Sequence, residues 1–179
     1  MWLIFLTPIS IITFLFYYAS TGGFGDMPDL EVLENPKTNL ASEIFTSDGK
    51  TLAKYYFNDN RTPVTFDELP THLVDALIAT EDIRFYSHSG IDFKRTFGAA
   101  LKFGKDGVGS TITQQLAKLL FTGEGSKDII ERLTQKFKEY IIAVRLERNY
   151  TKDEIITQYL NLYDFGNNGD GIRSAARIY

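Results

Sequence analysis

Two glutamates in this sequence are candidates for acid–base chemistry, because each is placed beside an apolar helical stripe. Leu73, Leu77 and Glu81 follow one another at i, i+4 and i+8, so Glu81 ends a stripe that faces the protein interior. Partial burial disfavours the charged form of a carboxyl group and brings it toward the working range of a general base. The alternative is a surface glutamate that ends an amphipathic helix. Glu139 is the second such carboxylate.

Cations gather between these two glutamates along the chain. Residues 93–123 contain five Lys or Arg residues and one acidic residue, a local charge of +4 in a protein whose net charge is −4: Lys94, Arg95, Lys102, Lys105 and Lys118, against Asp106. This excess indicates an anionic ligand. A base with several fixed cations suits transfer of a sugar from a diphosphate, whereas a glycosidase needs a second carboxyl group as acid or nucleophile.

Helices must position these groups. The pattern predicts helices at 71–81, from 111 onward with Ser110 or Thr111 as N-cap, at 128–148, at 151–161 and from 172. The predicted core faces comprise Ile112, Leu116, Leu119 and Leu120 in the second helix, Ile130, Leu133, Phe137, Ile141 and Val144 in the third, and Ile155, Ile156, Tyr159 and Leu160 in the fourth. Residues 42–57 predict a hairpin with a type I′ turn at Asp48-Gly49, and residues 64–66 predict a short strand.

Two polar stripes on these helices have ordinary alternatives. Thr111, Gln115 and Lys118 share one polar face of the second helix, which also suits a solvated helix side. Lys136 and Glu139 follow Arg132 at i+4 and i+7, which also suits a surface ion-pair ladder.

The N-terminal residues predict a membrane anchor. Residues 2–19 carry no charge and would span about 27 Å as a helix, close to the thickness of a bilayer core. A signal peptide is the alternative, but the run is long and no basic residue precedes it. Four acidic residues precede the first lysine, so we expect a single-pass protein whose body lies on the extracytoplasmic side. The whole chain is 44% apolar and has no cysteine, and the residues after the anchor suit one medium domain. Nothing in the sequence predicts a nucleic-acid partner.

Taken together, five ordered motifs resemble the peptidoglycan glycosyltransferases, which occur alone or as the first catalytic domain of class A penicillin-binding proteins. The motifs are Glu81-Asp82-x-x-Phe85-x-x-His88-x-Gly90, Gly109-Ser110-Thr111-Ile112-Thr113-Gln114-Gln115 with Lys118, Lys136-x-x-Glu139, Lys152-x-x-Ile155-Ile156-x-x-Tyr159-x-Asn161, and Gly171-x-x-x-Ala175-x-x-x-Tyr179. The resemblance implies a mainly α, lysozyme-like domain with a small N-terminal hairpin on a transmembrane helix. It also implies polymerisation of lipid II into glycan strands at the bacterial cytoplasmic membrane, with further cell wall synthesis proteins as partners.

The resemblance also implies roles for particular residues. Glu81 would be the general base, and Glu139 would be the second essential carboxylate, assisting at the diphosphate and binding a divalent cation such as Mg²⁺ or Mn²⁺. The residues implied to hold or support substrate are Asp82, Phe85, His88, Ser110, Thr111, Gln115, Lys118, Arg132 and Lys136. Gln135 and Asp170 depart from the family pattern, because Arg often occupies both positions, and Arg132 is the expected substitute for the first.

The expected organisation is an anchor at 1–20, a linker and hairpin region at 21–66, and a glycosyltransferase domain at 67–179 that stops before the family's closing helices. Two other functions fit parts of the pattern. One is a lytic muramidase that uses the same carboxylates, and the other is a non-catalytic, membrane-tethered module that binds glycan.

Overall fold

The computed structural model describes residues 7, 10, 13–14, 16–18, 21–23, 42–55, 61–101, 109–123 and 125–179. These residues form a mainly helical domain with one antiparallel hairpin, as the sequence predicts. The elements are β1 (Ser42–Phe45), β2 (Thr51–Tyr55), α1 (Thr71–Glu81), α2 (Phe93–Leu101), α3 (Ile112–Ala117), α4 (Ile129–Asn149), α5 (Lys152–Leu162) and α6 (Ile172–Ile178). Short 3₁₀ turns lie at Phe66–Glu68 and Phe85–Ser87, and a π-helical turn at Lys118–Thr122 continues α3.

The hairpin is confirmed, but the type I′ turn is wrong. A type I′ turn needs a positive φ at both central residues, and in the turn only Gly49 has one, at 79°. The backbone instead closes through the Gly49 N–H on the Thr46 carbonyl and the Thr46 N–H on the Lys50 carbonyl. A bulge between Ile44 and Phe45 adjusts the register. Gly49 alone therefore provides the left-handed residue that a five-residue connection needs.

The short strand predicted at residues 64–66 is also wrong. Thr65 instead caps the 3₁₀ turn, with its backbone N–H bonded to the Glu68 carboxylate at 2.8 Å. The Asn161 side chain accepts from the Val64 N–H at 2.8 Å and donates to the Val64 carbonyl at 2.9 Å. One amide side chain on α5 thus satisfies both backbone groups of Val64, so this segment needs no partner strand.

Helices α3, α4 and α5 contain most of the buried core. Ile112 and Leu116 of α3 are fully buried, and so are Ile155, Ile156 and Leu160 of α5. Thr151 begins α5 with a capping box that includes Glu154, and both this N-cap and the predicted buried face of the helix are confirmed. Leu119, predicted in the core, is 40% exposed because the π-helical turn beginning at Lys118 changes the residue spacing.

The predicted apolar face of α4 is wrong in its first half. Ile130 and Leu133 are 75% and 56% exposed, whereas the buried residues of the helix are Glu139, Ile142, Ala143 and Leu146. These four follow one another at i, i+3, i+4 and i+7, so they form the face that packs on α3 and α5. The first turns of α4 extend past that packing, which leaves their apolar side chains exposed.

Helix α2 is absent from the sequence prediction, and Asp92 begins it. Asp92 accepts from the Arg95 backbone N–H at 3.0 Å, a helix-start contact, and its carboxylate also binds the Arg84 guanidinium at 2.6 Å. Burial acts to raise the pKa of Asp92, but the Arg95 N–H and the Arg84 cation outweigh it and hold the pKa below its ordinary value.

The predicted anchor, residues 1–20, lies largely outside the described residues. Within the described part of the chain, no helix is long and apolar enough to cross a membrane. Residues 16–18 are helical, and the Phe16 ring contacts Phe137 of α4 edge to face, with 5.4 Å between ring centroids.

Candidate active site

Glu81 is the last residue of α1 and lies half-buried. Its Oε2 accepts from Gln115 Nε2 at 2.7 Å, and the Oε1 of that amide accepts from the Tyr159 hydroxyl at 3.0 Å. Arg95 donates to the backbone carbonyl of Glu81 at 2.5 Å. Side chains of three helices therefore hold Glu81: α3 contacts its carboxylate, α5 supports that contact, and α2 contacts its backbone.

A cavity of about 400 Å³ opens beside Glu81. It is lined by residues 79–84 together with Asp92 and Arg95. The Arg95 guanidinium also lies against Gly109, where an added Cβ would come within 2.1 Å of it. An added side chain at Gly109 would therefore displace the end of the Arg95 side chain. Lys102, Lys105 and Asp106 of the predicted basic segment lie outside the described residues.

Asp82 follows Glu81 but is directed into the protein, where it is 1% exposed. Its carboxylate accepts from the Ile112 backbone N–H at 3.1 Å and lies 2.9 Å from His88 Nε2. Phe85 is completely buried and stacks edge-on against His88. These three predicted site residues therefore lie behind Glu81, where they hold the turn that carries it.

The start of α3 connects several segments through consecutive residues. Thr111 caps the helix and donates to the Gly90 carbonyl at 2.7 Å, and Gln114 donates to the same carbonyl. Thr113 donates to Glu147 on α4 at 2.5 Å, and Gln115 binds Glu81. Thr111, which the sequence analysis placed against substrate, is 1% exposed and contacts other residues of the protein.

Glu139 forms a second centre with Lys136. Lys136 Nζ donates to Glu139 Oε2 at 2.8 Å and to Ser110 Oγ at 2.6 Å, and Thr122 donates to Glu139 Oε1 at 3.2 Å. Burial and the nearby Glu139 charge raise the pKa of Tyr140, whose ring lies beneath the ammonium group. The pair thus presents a fixed cation beside a serine hydroxyl.

Lys118 and Arg132 are two exposed cations that the sequence analysis assigned to the same substrate site as this pair. Lys118 begins the π-helical turn, and Arg132 lies one turn before Lys136 on α4. Neither side chain has a hydrogen-bond or ion-pair partner within the parts of the chain that the structure describes. Both are thus available to an anionic ligand.

The side chains at Glu139 do not fit a metal ion held by the protein. Both of its oxygens are occupied by Lys136 and Thr122. Across the described ranges, no three His, Cys, Asp or Glu side chains gather in a way that could hold a metal. A divalent cation usually takes several oxygen ligands, and here one carboxylate stands beside an ammonium group.

Comparison with known proteins identifies the family of the chain. The family model for transglycosylases matches residues 48–179, which is most of the chain. This chain belongs to the transglycosylase family. Penicillin-binding protein 1A of Escherichia coli (strain K12) is 40% identical over 158 residues, covering 86% of this chain and 18% of that protein. Penicillin-binding protein 1F of Bacillus subtilis (strain 168) is 42% identical over 145 residues, covering 79% and 20%.

Penicillin-binding protein 1A of Vibrio cholerae is 36% identical over 180 residues, covering 98% of this transglycosylase chain and 20% of the relative. The chain therefore spans about a fifth of the length of the curated relatives that it matches.

Two contacts of this transglycosylase domain were missed by the sequence analysis. Lys152 Nζ lies 4.2 Å from the centre of the Phe85 ring, donates to the His88 carbonyl at 2.7 Å and pairs with Glu147 at 2.7 Å. The only indication in the sequence that Lys152 makes such contacts was its position at the start of the fourth motif. The Arg84–Asp92 pair has no motif that could have revealed it.

The structure describes both departures from the family pattern in this transglycosylase. Gln135 Oε1 accepts from the Ser126 backbone N–H at 3.1 Å, so it orders the chain that enters α4. Asp170 forms a β-bridge with Asp164 in the loop before α6. Arg132, one helical turn before Lys136, is the cation that the sequence analysis expected in place of the missing arginine.

Proposed function

We propose that this domain polymerises lipid II into peptidoglycan glycan strands, with Glu81 as the general base and undecaprenyl diphosphate as the leaving group. The observation that carries the proposal is the difference between its two glutamates. Glu81 borders a cavity and binds a neutral amide, whereas Glu139 is buried and paired with a lysine. One free base and one fixed cation suit a sugar transfer that expels an anion.

Glycan hydrolysis requires a different arrangement. A glycosidase needs a carboxylic acid that protonates the leaving oxygen and a second carboxylate that acts as base or nucleophile. Glu139 is buried, and its two carboxylate oxygens accept hydrogen bonds from Lys136 and Thr122. Both oxygens are therefore engaged by the protein rather than facing a leaving group. The geometry therefore favours synthesis over lysis.

In the proposed reaction, Glu81 removes the proton from the 4-hydroxyl of the acceptor sugar. The acceptor oxygen forms a bond to the anomeric carbon of the donor, and the bond from that carbon to the diphosphate oxygen breaks, with inversion. The electron pair leaves on the diphosphate, whose charge Lys136, Lys118 and Arg132 stabilise. Ser110 lies 2.6 Å from Lys136 and would orient a phosphate oxygen at the same place. A divalent cation would accompany the diphosphate, because the described side chains at Glu139 do not form a site for it.

Location at the membrane is part of the same proposal. A single-pass anchor at residues 1–20 would hold the domain on the extracytoplasmic face of the bacterial cytoplasmic membrane, where it would meet other cell wall synthesis proteins. Both partners would then diffuse in one plane, because lipid II carries a long lipid. The hairpin region would follow the anchor, and the helices from residue 67 would form a lysozyme-like catalytic domain. The domain would form the N-terminal part of a class A penicillin-binding protein.

The proposal is tested by supplying lipid II to the purified chain in detergent and separating the polymer by gel electrophoresis. Glu81→Gln should lower the rate of polymerisation by at least about 100-fold, since general base catalysis typically contributes 10²–10⁴. Asp75→Asn is the matched control, because Asp75 is an exposed carboxylate on the same helix. It should keep the wild-type rate.

Three results would contradict the proposal. Polymer formed by Glu81→Gln at the wild-type rate would exclude Glu81 as the base. Cleavage of finished glycan without polymerisation would identify a lytic enzyme. Binding of glycan without release of undecaprenyl diphosphate from lipid II would identify a non-catalytic module.

A further inference from the structure

The hydrogen bonds that fix Glu81 run through two residues whose function the family comparison leaves open. Gln115 of α3 joins Glu81, at the end of α1, to Tyr159 of α5. The sequence analysis placed Gln115 against substrate. In the structure both polar atoms of its side chain amide instead face protein groups.

The direction of this hydrogen-bond chain follows from chemistry. An ionised carboxylate can only accept, so the amide nitrogen of Gln115 must face Glu81 and its oxygen must face Tyr159. The tyrosine hydroxyl must then donate. Burial, the neighbouring Tyr163 and the Glu81 charge raise the pKa of Tyr159 well above its ordinary value, so this hydroxyl keeps its proton. Tyr159 is 3% exposed, which keeps water from replacing it.

We propose that Tyr159 and Gln115 are positioning residues that together hold the Glu81 carboxylate and direct its free oxygen toward the cavity. The hydrogen bond from Gln115 occupies Oε2. Oε1 is then the atom that accepts the proton of the acceptor hydroxyl. This inference rests on the proposed role of Glu81 as the base.

Other charged groups near Glu81 are held by partners of their own. Arg95 of α2 donates to the Glu81 backbone carbonyl, and Arg84 is paired with Asp92 across the cavity wall. Asp82 contacts His88 and the start of α3. On α5 the nearby titratable groups are Tyr159 and Tyr163. Among the described contacts of Glu81, the hydrogen bond from Gln115 is the one that reaches the carboxylate itself.

Removal of the tyrosine hydroxyl should loosen the amide. In Tyr159→Phe the ring still fills the core, but Gln115 Oε1 loses its donor, so the amide keeps one of its two described hydrogen bonds. The Glu81 carboxylate is then held less firmly in the geometry that proton transfer needs. At neutral pH kcat for lipid II should fall by about tenfold, the size expected when one hydrogen bond is lost, while KM is unchanged.

Tyr163→Phe is the matched control. Tyr163 lies one turn along the same helix, with its ring centroid 5.3 Å from that of Tyr159, and its hydroxyl has no partner within the described residues. The same atom is removed from the neighbouring ring, so this variant should keep the wild-type kcat and KM. Gln115→Met removes both hydrogen bonds of the amide and should lower kcat at least as much as Tyr159→Phe.

A readout independent of turnover uses ¹³C-labelled glutamate carboxyl groups followed by NMR, with Glu81 assigned from the Glu81→Gln spectrum. At one fixed pH the Glu81 resonance should move in Tyr159→Phe and stay in place in Tyr163→Phe, because only the first variant changes the hydrogen bonds that reach the carboxylate. An unchanged kcat and an unchanged Glu81 resonance in Tyr159→Phe would overturn the inference while leaving the base assignment intact. An increase in KM for Gln115→Met with kcat unchanged would show instead that Gln115 binds substrate. Full activity of Glu81→Gln would refute the proposed function itself, whatever the spectra show.

Discussion

Asp82 should be among the most important residues for the stability of this domain, although it stands beside the candidate base. Its carboxylate is 1% exposed, lies 2.9 Å from His88 Nε2 and accepts from the Ile112 N–H at 3.1 Å. Asp82→Ala removes both contacts and leaves a buried imidazole nitrogen and a buried backbone donor unsatisfied. Two lost hydrogen bonds to a buried carboxylate together cost about 3–5 kcal/mol.

This cost is large against the total stability of a typical domain, about 5–15 kcal/mol. With a urea dependence of about 2 kcal/mol per molar, the unfolding midpoint should fall by about 1.5–2.5 M. The loss of helix signal by circular dichroism is the suitable measurement, because the single tryptophan of the chain, Trp2, precedes the domain. Asp82→Asn keeps an acceptor for the Ile112 N–H and should show a smaller shift.

Asp75→Asn, an exposed change on α1, is the control and should leave the midpoint within about 0.3 M, as surface substitutions usually do. A midpoint for Asp82→Ala equal to that of Asp75→Asn would refute the reasoning. It would mean that the buried carboxylate does not connect the turn of residues 85–88 to α3.

Three further predictions concern other parts of the fold. Gly90→Ala should lower the melting temperature more than Gly49→Ala: both glycines have a positive φ, but a Cβ at Gly90 would lie 2.8 Å from a backbone carbonyl of α4, whereas at Gly49 it would meet open space. Equal losses by calorimetry would contradict this. Asn161→Leu should destabilise the domain by about 2 kcal/mol in urea unfolding, because the backbone donor and acceptor that it satisfies would lose their partner. Asp92 contributes stability at pH values above its unfolded pKa, and that contribution is lost as the pH falls through its lowered folded pKa. Arg84→Met should therefore flatten the acid end of a stability–pH curve, and an unchanged curve would show that the pair contributes nothing.

Helix starts and motif positions could be predicted from the sequence because their causes are local. Thr111 and Thr151 cap their helices through residues three positions later, and Pro70 precedes α1 as expected. The apolar face of α4 could not be predicted, because Ile130 and Leu133 have the same periodicity as a buried stripe. Only the position where α3 and α5 pack decides which face of α4 is covered.

Site residues could be predicted as a set, but not by the part each one plays. Spacing showed that Glu81, Gln115 and Lys136 fall on polar or border positions, and the structure brings Gln115 to Glu81 and Lys136 to Glu139. Spacing could not show that Thr111 would be buried, because its contact with Gly90 joins residues 21 positions apart. Contacts of that kind depend on how helices cross, which no local pattern records.

The second motif connects the site in a way that its polar composition does not suggest. Five consecutive residues at the start of α3 contact four segments: Thr111 and Gln114 reach the Gly90 carbonyl, the Ile112 N–H reaches Asp82, Thr113 reaches Glu147, and Gln115 reaches Glu81. A helix of six residues has little stability of its own, so it depends on these contacts to form. The same contacts hold Glu81 in place. Proper folding of this short helix and correct placement of the candidate base are therefore one event, and a substitution in the motif would affect catalysis even without contact with substrate.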